Sequence, residues 1–349
     1  MTARAFIVGL SGLAITDAER AFLRDADPLG AILFKRNVES PAQVAALTKA
    51  FRDIVGRDAP VLVDQEGGRV QRLGPPHWPA YPPGAAYGGL YDRDPEAALA
   101  AARLGARLIA ADLAALGIDV DCLPIADVPV NGADKVIGDR AYGDTPQKVA
   151  AIGSAVAAGL QEGGVLPVLK HIPGHGRATA DSHLALPKVE TSRNVLESTD
   201  FAAFRPLCGL PVGMTAHVVF SAIDPAAPAT TSAIMIGDVI RGFIGFDGLL
   251  MSDDISMGAL SGSLGERSRA SLVAGCDIVL HCNGRLDEMQ AVAAEAPKLS
   301  GKAAERAERA LALRKRPADF DMEAGRARFA ALMGIPVRDT PARDTQVTT

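Results

Sequence analysis

Residues 165–183 read VLPVLKHIPGHGRATADSH, and this stretch combines a buried strand with a loop rich in titratable groups. The apolar run Val165–Leu169 is typical of a strand that is covered on both faces. Pro173, Gly174 and Gly176 prevent a helix or a continuing strand, so the residues after the run form a loop. Three of the six histidines of the chain fall in this part. A loop of this kind, at the end of a buried strand, is a place where enzymes carry their chemistry.

Seven further apolar runs occur along the chain, with helical patterns between them. Together the eight runs are Ala5–Leu10, Ala31–Phe34, Pro60–Val63, Val120–Ile125, Val165–Leu169, Val212–Thr215, Gly248–Met251 and Asp277–Leu280. The predicted helices are Thr16–Asp25, Ser40–Val55, Pro95–Leu116, Thr145–Glu162, Asn194–Leu207, Ser232–Gly242, Ser263–Ala274 and Arg285–Leu313. Thr16 and Ser263 each precede a glutamate by three residues, the spacing of a capping box. Eight alternations of strand and helix predict an α/β fold, the single-domain (β/α)8 TIM barrel, with a doubly wound sheet plus a small domain as the alternative.

The composition is that of a soluble globular enzyme, since 48% of the 349 residues are hydrophobic and 22% are charged. A net charge of −5 without any Lys/Arg block argues against nucleic acid as a partner. No apolar run reaches the length of a membrane helix, so no membrane partner is expected. The apolar N-terminal segment is interrupted by glycines and followed by an acidic helix start, which favours a first strand over a signal peptide.

The four cysteines show no CxxC pairing, so reduced thiols in a cytoplasmic protein are expected. The barrel is expected to occupy residues 1–337 as the catalytic domain. Residues 338–349 are rich in Thr and Pro and are expected to form a disordered tail.

Charged or histidine side chains follow nearly every predicted strand. A barrel of this class brings the carboxyl ends of its strands to one face, where the catalytic groups lie. The residues at these ends are Lys35, Arg36 and Asn37 after the second strand; Asp64, Glu66, Arg69 and Arg72 after the third; Asp127, Asp134, Asp139 and Arg140 after the fourth; Lys170, His171 and the loop to His183 after the fifth; His217 after the sixth; Asp253 and Asp254 after the seventh; and His281 and Asn283 after the eighth. This concentration predicts an active site at that face.

The carboxylates and cations in this set predict a polar substrate with many hydroxyl groups. The natural ligands for sugar hydroxyls and an amide carbonyl are Asp64, Arg72, Arg140 and Lys170. Glycoside hydrolysis needs one group that attacks or shields the anomeric carbon and another that protonates the leaving oxygen. Asp253, at a rigid strand end, is the candidate for the first role. Strand alternation directs Asp254 elsewhere, into a cap or a loop hydrogen bond.

The proton donor is predicted within Asp181-Ser182-His183. A carboxylate that hydrogen-bonds an imidazole fixes its tautomer and raises its pKa, which gives an acid usable near neutral pH. The alternative for this pair is a solvated Asp181 beside a histidine that only caps the loop. A zinc site formed by Asp181 and the three histidines of the loop is a competing interpretation of the same residues. Pro173 and the glycines prevent the helix that its His-x-x-x-His spacing requires, so neither metal nor cofactor is expected.

Motifs along the whole chain resemble the signature of glycoside hydrolase family 3. They are KHIPGHG at 170–176 with DSH at 181–183, GAILF at 30–34 with Arg36 and Asn37, DQEGGRVQR at 64–72, IGDR at 137–140, MTAH at 214–217 and SDDISM at 252–257. They span about residues 5 to 315, and within the family they look most like the NagZ-type β-N-acetylglucosaminidases of bacterial cell-wall recycling. One stretch departs from the pattern: residues 121–127 read DCLPIAD, where family members more often have Asn-x-Ala-Pro-Val-x-Asp.

The resemblance implies a role for each site residue. Asp253 would be the nucleophile that forms a covalent glycosyl-enzyme. His183 would be the general acid/base with Asp181 as its partner, carried in and out of the site by a flexible loop after Gly174. The residues that would bind the N-acetylglucosamine ring are Asp64, Arg72, Arg140, Lys170 and His171. Many family members have a distant Glu acid on a second domain, for which this chain is too short.

The resemblance therefore implies a retaining, exo-acting β-N-acetylglucosaminidase without a cofactor. Its expected substrate is N-acetylglucosamine β-1,4-linked to 1,6-anhydro-N-acetylmuramic acid, with or without a peptide. This small carbohydrate would be the only expected partner, and the protein would be a cytoplasmic monomer. A phosphorylase on the same scaffold is one alternative, because an uncharged histidine acid/base would repel phosphate less than a carboxylate would. A sugar-binding protein with an inactive site is the other.

Overall fold

The computed structural model describes residues 3–182, 185–315 and 319–336 and contains a closed barrel of eight parallel strands. The strands are β1 (Arg4–Gly9), β2 (Pro28–Leu33), β3 (Val61–Val63), β4 (Val120–Asp121), β5 (Leu166–Ile172), β6 (Val212–Thr215), β7 (Leu249–Asp254) and β8 (Ile278–His281). Each strand pairs with its neighbours in sequence, and β8 closes the ring on β1. The predicted (β/α)8 barrel is therefore confirmed, and the doubly wound sheet is wrong. The expected tail at 338–349 lies outside the described residues.

Helices follow the strands and cover the outside of the barrel. They are α1 (Asp17–Ala26), α2 (Pro41–Val55), α3 (Gly84–Tyr91), α4 (Pro95–Ala114), α5 (Pro146–Glu162), α6 (Arg193–Ser198), a π-helix at Met235–Ile244, α7 (Leu264–Ala274), α8 (Leu286–Glu295), α9 (Gly301–Leu311) and α10 (Met322–Met333). Both predicted capping boxes are present, because Thr16 and Ser263 each exchange hydrogen bonds with the glutamate three residues later. No helix in the described part of the chain is long and apolar enough to span a bilayer.

Proline explains two differences from the predicted elements. The predicted helix Arg285–Leu313 is divided into α8 and α9, because Pro297 lacks an N–H and cannot continue a helix. Its carbonyl instead accepts a hydrogen bond of 2.8 Å from the Ala5 N–H at the start of β1. The predicted strand Val120–Ile125 pairs only over β4 and a later bridge at Ile125, since Pro124 between them donates no hydrogen bond.

Two further differences concern helices. The predicted helix Asn194–Leu207 is reduced to α6 followed by two short 3₁₀ turns. Helices α3 and α10 are absent from the sequence predictions. Three of the eight residues of α3 are glycines, which weaken the helical signal. Helix α10 packs on α4, and its Phe329 also contacts the rings of Tyr81, before α3, and Tyr87, on α3.

Strand alternation divides the core into two layers. Alternate strand residues fill the inside of the barrel, among them Ile7, Ile32, Leu62, Val168, Met214, Met251 and Leu280. Their strand neighbours pack outward with the helices, among them Phe6, Ala31, Val63, Leu169 and Leu250. Both faces of the strands are therefore buried, which explains the continuous apolar runs in the sequence. The inward rows continue past the carboxyl ends of the strands, where they place side chains above the barrel core.

Candidate active site

A cavity of about 300 Å³ opens at the carboxyl ends of the barrel strands. This volume is at the lower end of the range for small-molecule sites. Seven of the eight predicted site residues line it: Asp64, Arg72, Arg140, Lys170, His171, Asp181 and Asp253. The eighth, His183, lies outside the described residues. Apolar side chains complete the lining, among them Ile32, Phe34, Met214, Met257 and Leu280.

Strand alternation explains how the polar residues reach this cavity. On β5 the inward-facing Val168 is followed two residues later by Lys170, which continues the same row. On β7 the inward-facing Met251 is followed in the same way by Asp253. On β3 the inward-facing Leu62 is followed two residues later by Asp64. The barrel interior and the site are thus parts of one alternating pattern, apolar below and charged above.

The polar residues at the end of β8 do not belong to the cavity. His281 alternates with the inward-facing Leu280, and its Nε2 lies 3.0 Å from Oε2 of Glu288 on α8. The side chain of Asn283 donates to the same carboxylate. A charged or histidine residue at a strand end is therefore not sufficient evidence of a site residue, since its place in the alternation decides where it points.

Two carboxylates and three cations form a wall of the cavity, here called the charged wall. Asp64 pairs with Nζ of Lys170 and with Nη2 of Arg72, each at 2.9 Å. Glu66 lies 2.7 Å from Nζ of Lys170 and accepts two hydrogen bonds of 2.8 Å from Arg140. Lys170 is 2% exposed, so the two carboxylates rather than water stabilise its charge.

Mutual attraction keeps the members of the charged wall ionised. Burial alone would raise the pKa of Asp64, but Lys170 and Arg72 lower it far below its usual range. Burial would lower the pKa of Lys170, whereas the two carboxylates raise it well above its usual range. The pKa of Glu66 is lowered as well, because Lys170 and Arg140 outweigh its burial. The wall therefore offers fixed donors and acceptors, which suit the hydroxyl and amide groups of a sugar.

Glu66 is a site residue to which the sequence prediction gives no role. It follows Asp64 by two residues, a spacing that puts both side chains on the same face of an extended chain and could have identified it. A short hairpin, Gln65–Gly67 paired with Val70–Gln71, carries it. Gly67 has a φ of +89°, and a Cβ there would lie 2.3 Å from the Pro82 carbonyl oxygen, so only glycine fits this turn.

Asp127 is a second carboxylate to which the prediction gives no role. It is fully buried, and its Oδ2 accepts a hydrogen bond of 2.7 Å from Nδ1 of His171. Its Oδ1 accepts one of 2.6 Å from the backbone N–H of His175. Burial would raise the pKa of Asp127, but the two histidines lower it below its usual range. Asp127 therefore fixes the orientation of His171, as a carboxylate commonly does for a functional imidazole.

Asp253 and Asp254 have different environments. Burial would raise the pKa of Asp253, but His217, His171 and the backbone N–H of Asp254 lower it below its usual range. It is therefore ionised near neutral pH, as a carboxylate nucleophile must be. The carboxylate of Asp254 accepts hydrogen bonds from the N–H and hydroxyl of Ser256, at 3.0 and 2.7 Å. The prediction that Asp254 makes a loop hydrogen bond is confirmed.

Asp121 and Cys122, which depart from the family pattern, are both fully buried. Oδ1 of Asp121 accepts a hydrogen bond of 3.0 Å from the backbone N–H of Gln65. Burial raises the pKa of Asp121 well above its usual range, and the charges of Asp64 and Glu66 add to this effect. The raised pKa favours the neutral form of Asp121, which lessens the cost of burying this side chain.

Comparisons with known proteins agree with this fold. The N-terminal domain of glycosyl hydrolase family 3 matches residues 6–312. A β-hexosaminidase of Alkalilimnicola ehrlichii is 43% identical over 283 residues, which cover 79% of this chain and 80% of that protein. A β-hexosaminidase of Xanthomonas axonopodis pv. citri is 39% identical over 294 residues, covering 82% and 86%. The crystal structure of NagZ from Neisseria gonorrhoeae in complex with N-trifluoroacetyl-D-glucosamine matches with a TM-score of 0.84 and 32% identity, covering 96% of this chain and 98% of that one. The chain therefore belongs to glycosyl hydrolase family 3 and is a glycoside hydrolase.

Proposed function

We propose that this family 3 hydrolase is a retaining, exo-acting β-N-acetylglucosaminidase. Its substrate in this proposal is N-acetylglucosamine linked to 1,6-anhydro-N-acetylmuramic acid, with or without a peptide, as in cell-wall recycling. The observation that carries the proposal is the meeting of Asp253, Asp181 and the charged wall in one cavity. The relatives from Alkalilimnicola and Xanthomonas are β-hexosaminidases, and the Neisseria protein was crystallised with an N-acylated glucosamine, which supports the same sugar here.

The proposed reaction has two steps. In the first, a carboxylate oxygen of Asp253 forms a bond to the anomeric carbon while the glycosidic C–O bond breaks. The leaving oxygen receives a proton from His183, which Asp181 assists. In the second step, water attacks the anomeric carbon, His183 removes its proton and Asp253 leaves, so the anomeric configuration is retained. The lowered pKa of Asp253 supports its role, because the attacking group must be ionised.

The sugar ring is assigned to the charged wall and His171. Asp64 and Glu66 supply acceptors for sugar hydroxyls, and Arg72, Arg140 and Lys170 supply donors. Their existing ion pairs hold these groups in place before a sugar arrives, which limits the entropy lost on binding. The small volume of the cavity, about 300 Å³, supports exo action, since a short pocket suits a terminal sugar ring.

We further propose that hydrolysis needs neither a metal nor a cofactor. Among the described residues, no group of three or more His, Cys, Asp and Glu side chains is arranged to hold a metal ion. Addition of EDTA should leave the hydrolysis rate unchanged, and a loss of activity that zinc restores would contradict the proposal.

We also propose a cytoplasmic monomer whose catalytic domain comprises residues 1–337. Four free cysteines, two of them buried, support a reducing compartment. Within the described residues, the exposed large apolar side chains are few and belong to different parts of the chain, which supports a monomer. Cell fractionation and analytical ultracentrifugation test these two points.

A fluorogenic aryl β-N-acetylglucosaminide tests the activity directly. The wild type should release the fluorophore, and NMR of the first product should show the β-anomer of N-acetylglucosamine. A sugar-binding protein with an inactive site would show no turnover even in a single-turnover assay. A phosphorylase would instead give N-acetylglucosamine 1-phosphate when phosphate is added. The absence of turnover, the formation of N-acetylglucosamine 1-phosphate, or an α-anomer as the first product would each overturn the proposal.

A further inference from the structure

His175 and Ser182 form a buried hydrogen bond beside the predicted acid/base pair. Nε2 of His175 lies 3.0 Å from Oγ of Ser182, and the two residues are 3% and 2% exposed. Both also line the cavity. Ser182 directly follows Asp181 in the sequence, so a contact that holds Ser182 also restrains Asp181.

The histidine side of this bond belongs to a rigid part of the protein. The backbone N–H of His175 donates to the fully buried Asp127, and its ring packs edge-on against His171, with centroids 5.9 Å apart. The next residue, Gly176, lies so close to Val128 that a Cβ would be 2.0 Å from the Val128 carbonyl oxygen. Close packing therefore requires this glycine, and the backbone of His175 has little freedom to move.

The serine side is attached to the loop that follows the nucleophile. The carbonyl oxygen of Ser182 accepts a hydrogen bond of 3.1 Å from the N–H of Ala259, five residues after Asp254. The chain between Ala178 and Ser182 is less enclosed, and Thr179 is exposed. Ser182 is thus held by its side chain to His175 in the loop after β5, and by its carbonyl oxygen to Ala259 in the loop after β7.

We propose that His175 and Ser182 are positioning residues, which hold the segment Asp181–Ser182 at the cavity, where Asp181 assists proton transfer to the leaving group. The inference rests on the proposed function, in which Asp181 of this segment assists the acid/base. Burial and the neighbouring His171 lower the pKa of His175 to about 4, so its ring is neutral at the pH of catalysis and does not compete as an acid. The burial of the bond makes it strong enough to restrain the segment, because no water replaces it.

Ser182→Ala tests this role through its dependence on the leaving group. Departure of 2,4-dinitrophenolate needs no proton, whereas departure of phenolate does. We expect kcat/KM for the phenyl β-N-acetylglucosaminide to fall about 100-fold, as for a misplacement of about 1 Å. For the dinitrophenyl substrate, kcat/KM should fall less than about threefold. Inhibition by N-acetylglucosamine should not change, because the charged wall is intact, and this also shows that the variant is folded.

Three further variants complete the experiment. Thr179→Ala removes a hydroxyl from the exposed part of the same loop and should behave as the wild type with both substrates. His175→Leu removes the bond from its other side and should match Ser182→Ala. In His175→Gln the amide reaches the position of Nε2 and should restore most of the activity on the phenyl substrate.

The outcomes separate this inference from the proposed function. Equal losses on both substrates, or no loss on either, would overturn the positioning role while the wild-type activity stands. The absence of any cleavage by the wild type would overturn the proposed function and this inference with it.

Discussion

Lowering the pH should destabilise the protein through His175, and His175→Gln should remove that effect. The histidine is buried between Ser182, His171 and Asp127, with Asp253 also near enough to affect its charge. Burial and the neighbouring His171 oppose protonation of the ring, and Asp127 and Asp253 only partly compensate. A proton therefore binds more readily to His175 in the unfolded chain than in the folded protein.

The size of the effect follows from the two pKa values of His175. The ordinary value is 6.5, and the pKa in the folded protein is lowered to about 4. Between these values the unfolded state binds more protons, so the free energy of unfolding decreases as the pH falls from 6.5. The contribution of His175 to the free energy of unfolding is fully present above pH 6.5, and about 3 kcal/mol of it is lost when the pH reaches about 4.

Urea unfolding near neutral pH and near pH 4 measures this loss, with each variant compared at both values. Other groups titrate in the same range, so the relevant quantity is the difference between the wild type and His175→Gln. We expect the wild type to lose about 3 kcal/mol more than the variant. His77→Gln is the matched control, because His77 is exposed, and it should lose as much as the wild type. Equal losses in the wild type and His175→Gln would refute the reasoning.

Three further predictions concern carboxylates of the site. Glu66→Gln should lower the free energy of unfolding by about 3 kcal/mol and weaken inhibition by N-acetylglucosamine, because Lys170 and Arg140 lose a buried partner. Unchanged urea titrations and inhibition constants would contradict this role. Asp253→Asn should reduce kcat/KM about 10⁴-fold or more with little change in the unfolding midpoint. A normal rate in Asp253→Asn would exclude Asp253 as the nucleophile. Asp254→Asn should lower the unfolding midpoint, because the Asp254 carboxylate accepts two hydrogen bonds from Ser256 in its own loop.

The prediction of the fold succeeded because its signals are local. Each buried strand appears as a short apolar run, since both of its faces are covered, and the caps of α1 and α7 appear as short spaced motifs. The predictions failed where local signals were ambiguous. Pro297 lies inside a helical pattern that it divides, and the glycines of α3 hide a helix that tertiary packing stabilises.

The prediction of the site was less complete for a related reason. Lys170 and Asp253 were identifiable because each lies near the carboxyl end of a strand, in a position that continues its inward row. His281 also lies at a strand end, but on the opposite face, and it contacts α8 instead. Glu66 received no role, because its importance depends on Lys170 and Arg140, which are distant in sequence. His183 lies outside the described residues, so its role stays a prediction.

By itself the sequence determined the barrel, the face on which its site lies and most of the residues there, since apolar runs, glycines and strand ends are local features of the chain. The 165–183 stretch shows the limit of such features. Sequence predicts a loop from its proline and glycines, and the structure adds that Gly176 packs against Val128 and that His175 lies in hydrogen-bond contact with Ser182. Only the tertiary structure decided which charges pair and which histidine contacts Ser182. The physical reason is that ion pairing, burial and pKa depend on distances between residues far apart in the chain, and folding alone sets those distances.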